Sequence, residues 1–149
     1  MFLIFDTETT GLPRDWNAPL TNGDNWPRCI QIAWQLHDED GNCISHEDYL
    51  VRPDGFTIPY DAEKIHGIST ALSKKEGVPL AAILEKFQRA MEQCEFIGGH
   101  NVKFDLNIMG AEFLRFGDHN PLENFHIIDT CTEETAELCQ LPGGRGGKF

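Results

Sequence analysis

The chain opens on a run of apolar residues, Phe2, Leu3, Ile4 and Phe5, that passes directly into Asp6 and Glu8. Apolarity unbroken over this length predicts a strand buried on both faces, as in the middle of a parallel sheet. Short or alternating apolar runs at 29–36, 43–51, 95–99 and 125–128 predict further strands, the first two forming a hairpin through a turn at 38–42. Leu80, Ile83, Leu84, Phe87 and Met91 recur at spacings of three and four, which predicts a helix over 78–94. A second helix carries Phe104, Ile108, Met109, Phe113 and Leu114 and ends near Gly117, and a third is expected over 130–141. Residues 53–69 read as an irregular connection with a short helical turn. The stretch 13–28, rich in Pro, Asn, Asp and Gly, reads as a loop of about fifteen residues, long enough to be functional. Three strands followed by alternating helices and strands predict an α/β fold, a mixed sheet covered by helices.

Composition narrows the function classes. A length of 149 residues with 40% hydrophobic content fits one folded domain, residues 1–149. No apolar run reaches a membrane span and no basic-then-apolar leader is visible, so a cytoplasmic protein without membrane contact is expected. Five cysteines without a C-x-x-C pair argue against a disulfide framework or a zinc knuckle and for reduced, packed thiols. The net charge of −12 argues against a basic surface that grips nucleic acid unaided. It does not exclude a nucleic-acid enzyme, because bound divalent ions reverse the local field.

Side chains alternate along a strand, so Asp6 and Glu8 point to one face with Cα atoms roughly 7 Å apart and need a neutralising partner. They close the first strand at the end where α/β sheets place their ligand crevice. Thr9, Thr10 and Gly11 follow in a tight turn whose N–H groups could meet an anion or a sugar hydroxyl. A second cluster runs from Gly98 to Asp105: His100 and Asn101 at a turn, Phe104 as a core residue by default, and Asp105 in a first helical turn, where the dipole favours an acid. His66, in the segment Ile65-His-Gly-Ile-Ser69, is taken alone a hydrogen-bonded loop histidine. Trp16 and Trp26 of the long loop could pack it down or stack on a base, packing being preferred. Oxygen donors from Asp6, Glu8 and Asp105 suit hard cations such as Mg²⁺ or Mn²⁺. Two such ions about 4 Å apart clamp the attacking and leaving oxygens of a phosphodiester.

Together, Asp-Thr-Glu-Thr-Thr-Gly at 6–11 and His-Asn-Val-Lys-Phe-Asp at 100–105 resemble the first two motifs of the DnaQ-like, DEDD-type 3′–5′ exonucleases, whose members include the epsilon proofreading subunit of bacterial DNA polymerase III. The segment around His66 is similar to a further landmark of that family. The resemblance implies an RNase H-like fold with a five-stranded sheet and two bound Mg²⁺ or Mn²⁺ ions. It implies that Asp6 bridges both metals, Glu8 holds the ion on the nucleophile side and Asp105 the second. It places Thr9, Thr10, Gly11, His66, His100, Asn101 and Phe104 around the terminal nucleotide, with Phe104 against its base. The implied reaction releases nucleoside monophosphates from the 3′ end of a single strand, DNA before RNA, with a replicative polymerase as possible partner.

Two departures stand out. The loop 13–28 exceeds the short link usual in the family, which bears on the substrates admitted. The family's third motif, H-x-x-x-x-D on a helix after the fifth strand, supplies a general-base histidine and a fourth metal ligand, and it is not found. His126 and Asp129 have the wrong spacing and belong to the strand, and His119 has no aspartate in place. Nor is the glycine-rich end, 141–149, a phosphate loop: its glycines are misspaced and Phe149 stands where Ser or Thr is required. The expectation is an exonuclease domain missing its C-terminal helices, poorly active or inactive, and prone to self-association through an uncovered apolar face. The alternatives are a non-catalytic RNase H-like module that binds nucleic acid or a polymerase, and an RNA-trimming exoribonuclease.

Overall fold

In the structure, a computed structural model that describes residues 1–140, five strands form one sheet: β1 Phe2–Thr9, β2 Cys29–His37, β3 Cys43–Leu50, β4 Phe96–Gly99 and β5 His126–Asp129. Their order is β3-β2-β1-β4-β5. The hairpin partners β2 and β3 and the pair β1 and β2 run antiparallel, while β4 lies parallel to β1 and β5 parallel to β4. The predicted mixed sheet is therefore present, with β1 at its centre.

The helices are α1 Tyr60–His66, α2 Thr70–Glu76, α3 Leu80–Met91, α4 Lys103–Phe116 and α5 Glu133–Cys139. Of these, α2 was not expected from periodicity; Ser69 caps it by accepting from the Leu72 N–H, and Ser73 is its one buried residue. With so little apolar surface to bury, it shows no helical stripe in sequence. A 3₁₀ turn at Pro121–Asn124, also unforeseen, leads into β5. The predicted end of the third helix at Leu141 and the glycine-rich segment lie outside the described residues.

The core lies on one face of the sheet. Leu3 and Phe5 of β1, Ile32, Trp34 and Leu36 of β2 and Ile97 of β4 meet Ile83, Leu84, Phe87 and Met91 of α3 and Ile108, Met109 and Phe113 of α4. The Phe87 ring packs at 5.2 Å from Phe5 and 5.3 Å from Trp34. A register slip after Glu8 lets Ile30 join a second cluster with Ile58, Ala62 and Ile68 around α1.

One expectation needs correction: β1 is buried on one face only. Leu3 and Phe5 are sealed, whereas Ile4 is 48% exposed and Phe2 only partly covered. Both long helices land on the Leu3–Phe5 side, so among the described residues no helix covers the opposite face. That face carries Phe2 stacked on Phe96 at 5.1 Å, together with exposed Ile4 and Ile128, and it also carries Asp6.

Candidate active site

The pairing of the sheet explains where Asp105 sits. Parallel pairing of β4 with β1 ends at Ile4 and Gly98, so beyond it the edge of β1 lacks a strand partner on that side. Asp105, in the first turn of α4, takes that place: its Oδ1 accepts from the Thr7 N–H at 3.0 Å and from the Thr7 hydroxyl at 2.5 Å. The residue is 3% exposed. Burial pushes its pKa up to about 6; the Thr7 hydroxyl works against the rise, and the charge of nearby Asp6 adds to it. Thr7 was missed from sequence, although its place between the two acids of β1 marks it as the residue turned to the core.

Asp6 is exposed and Glu8 half-buried on the open face, as the strand alternation required. Among the described residues, no three His, Cys, Asp or Glu side chains converge into a group able to hold a metal ion. The reason is geometric. Asp105 is drawn to Thr7, whose side chain points to the core face, while Asp6 and Glu8 project from the other side of the strand. Asp105 is nevertheless bonded to the residue next to Asp6 in β1, and the Asp6 charge adds to the rise in its pKa. The oxygen donors of these carboxylates are of the kind that suits a hard divalent cation. Glu8 stands two residues along the same strand face.

The remaining predicted residues are distributed around these carboxylates. The Thr10 N–H donates to the Arg28 carbonyl at 3.0 Å, and the Thr10 hydroxyl accepts from the Arg28 N–H at 2.9 Å. The Thr9 hydroxyl donates to the Gly11 carbonyl at 2.7 Å. This turn thus spends much of its polar capacity on closing the base of the 13–28 loop. Asn101 adopts a left-handed conformation, φ 57°, and its N–H donates to Asp129 Oδ1 at 2.8 Å. The same oxygen accepts from the Cys131 N–H, and His100 Nδ1 lies 3.2 Å from the Thr130 hydroxyl, so the ends of β4 and β5 are stitched together. Asp129 is thereby a strand-end acceptor, in keeping with its exclusion as a third-motif aspartate. His66 is not in a loop as expected but is the last residue of α1, where its Nδ1 accepts the Ile68 N–H at 3.0 Å just past the helix end; its Nε2 is buried without a hydrogen-bond partner among the described residues. Phe104 is half-buried on the core, and Trp16 packs on it with ring centroids 5.8 Å apart.

Glu112 was also missed. It is fully buried, accepting from Arg28 Nε at 3.0 Å and from the Cys29 N–H at 2.9 Å. Arg115 Nη1 lies 3.0 Å from its other oxygen, an ion pair without a well-aligned hydrogen bond. An acid within the apolar run of α4, seven residues after Asp105 and so on nearly the same face, was the available signal. With burial as the main cause and the charges of Glu112 and Asp105 adding, the Cys29 thiol is pushed well above its ordinary pKa, so it is no nucleophile.

Over residues 3–143 the sequence matches the exonuclease family RNase_T. The chain belongs to this exonuclease family. It is 31% identical over 130 residues to a PolC-type DNA polymerase III of Lactococcus lactis, covering 87% of this chain and 7% of that protein. It is also 31% identical over 140 residues to a DNA polymerase III subunit epsilon-like protein of Rhodobacter capsulatus, covering 91% of this chain and 18% of that one. In structure it is similar to E. coli Exonuclease I crystallised with a dT13 oligonucleotide, with a TM-score of 0.70 at 22% identity over 96% of this chain and 30% of that one. A second complex of Exonuclease I, with a 5cy-dA13 oligonucleotide, gives a TM-score of 0.73 at 21% identity. The exonuclease-type fold expected from the two motifs is thus present, and the chain spans only a small part of these relatives' lengths.

Proposed function

We propose that this chain forms the metal-dependent exonuclease domain of a proofreading or repair DNase, removing nucleoside monophosphates from the 3′ end of single-stranded DNA. The observation that carries the proposal is the docking of buried Asp105 on Thr7, between Asp6 and Glu8 of β1, in a chain of exonuclease family. Asp6, Glu8 and Asp105 would hold Mg²⁺ or Mn²⁺. Such ions, when bound, supply charge stabilisation at the phosphoryl oxygens and a water that ionises near neutral pH. Thr7 holds the Asp105 carboxylate in one orientation through two bonds to one oxygen. The stitched turn at His100 and Asn101 presents its side chains at the same sheet edge. Residues 126–140 carry no H-x-x-x-x-D pair, so a base and a fourth ligand are not supplied from the helix after β5.

The orientation of Asp105 toward core-facing Thr7 and of Asp6 and Glu8 toward the open face, with no three-ligand group among the described residues, favours a second reading: a strand-binding or polymerase-binding module without catalysis. A thermal-shift titration with Mn²⁺ separates the two. The exonuclease reading expects the melting temperature to rise with Mn²⁺ in the wild-type chain and to rise far less in Asp6→Asn. An unshifted wild-type melt would favour the non-catalytic module.

A further inference from the structure

The 13–28 loop is anchored at several points that do not involve Trp16. Arg115 Nη2 donates to the carbonyls of Gly23 and Trp26 at 2.8 and 2.7 Å. Trp26 is buried and its indole N–H donates to the Pro19 carbonyl at 3.2 Å. Leu20 lies so close to Gly110 of α4 that a Cβ there would come within 2.9 Å of it. The side chain of buried Asn25 accepts from the Asp15 N–H at 2.8 Å and donates to the Asp15 carbonyl at 2.9 Å. Both backbone groups of the residue before Trp16 are therefore fixed.

Trp16 is presented from this braced backbone. It remains 54% exposed although it touches Phe104, and the two ring planes meet at 52°. A tryptophan serving only to hold the loop would be sealed as Trp26 is, since burial of its apolar area is the gain. Much of Trp16 therefore stays open beside the Phe104 ring that it touches. Asp105 is the residue after Phe104, and exposed Arg14 and Lys103 flank the two rings in sequence. With a net charge of −12 the protein has little long-range attraction for phosphate, so affinity for a strand must lean on base stacking.

We propose that Trp16, carried in by the 13–28 loop and resting against Phe104, stacks an unpaired nucleobase of the single-stranded substrate on its exposed surface. The proposal rests on the nucleic-acid reading above and adds a base-contacting residue to it.

The test is fluorescence anisotropy of a labelled oligo-dT with the full chain, comparing wild type, Trp16→Ala and Trp16→Phe, and repeating each with a matched strand of abasic sites. Circular dichroism melts establish that each variant folds; Trp16 is exposed, so little change is expected. Loss of stacking should weaken oligo-dT binding about tenfold in Trp16→Ala, with recovery in Trp16→Phe and no difference among the three on the abasic strand. Binding by Trp16→Ala within twofold of wild type, or an equal loss on the abasic strand, overturns the stacking role of Trp16 and leaves the nuclease reading standing. Failure of the wild-type chain to bind any single-stranded oligomer overturns both.

Discussion

Thr7 and Asp105 show how one position on a strand can prepare a site. Asp105 completes the hydrogen bonding of β1 where β4 stops, and the cost of that placement is a buried carboxyl with a pKa of about 6 beside Asp6. Below the ordinary carboxylate pKa both folded and unfolded chains are protonated, and the group contributes nothing. Between that value and about 6 the unfolded chain ionises while the folded one does not, so stability falls as pH rises through this window. Above it the metal-free fold carries a penalty on the order of 2–3 kcal/mol. Asp105→Asn keeps an acceptor for both Thr7 donors without the charge. In EDTA it is expected to melt higher than wild type at about pH 7.5, and level with it at about pH 4. A variant less stable than wild type at the higher pH would show that ionised Asp105 stabilises the metal-free fold.

At the scale of elements, α4 does two jobs with residues seven positions apart. Asp105 serves β1, while Glu112 binds the start of β2 and the long loop through Cys29, Arg28 and Arg115. Removing Glu112 leaves two partly buried arginines without their counter-charge and a buried N–H without an acceptor. Glu112→Ala is therefore expected to cost about 3–5 kcal/mol in urea unfolding. It should also loosen the loop that carries Trp16, seen as faster proteolysis within 13–28. A loss below about 1 kcal/mol would mean that the ion pairs contribute no more than exposed ones do.

For the molecule as a whole, the sheet has a helix-covered face and an open one. Phe2, Ile4, Phe96 and Ile128 share the open face, with Asp6 at its edge. An apolar surface of this kind favours association. Sedimentation of the 149-residue chain is expected to show concentration-dependent oligomers, reduced in Ile4→Lys. A monomer at all concentrations would count against it.

Much of this was legible in the chain because local patterns carried it. Five strands, the two long helices and the acids at 6, 8 and 105 follow from apolar periods and from two ordered motifs. Strand alternation alone also put Asp6 and Glu8 on one face. Which face of β1 is buried was beyond local reading, because Phe2 to Phe5 are all apolar and only the landing of α3 and α4 on the Leu3 side separates them. Tertiary structure likewise decided that Asp105 turns to Thr7, and that of two loop tryptophans Trp26 is sealed while Trp16 meets Phe104. These are contacts between residues distant in sequence, set by where a strand ends and where a loop is pinned, and no period along the chain records them.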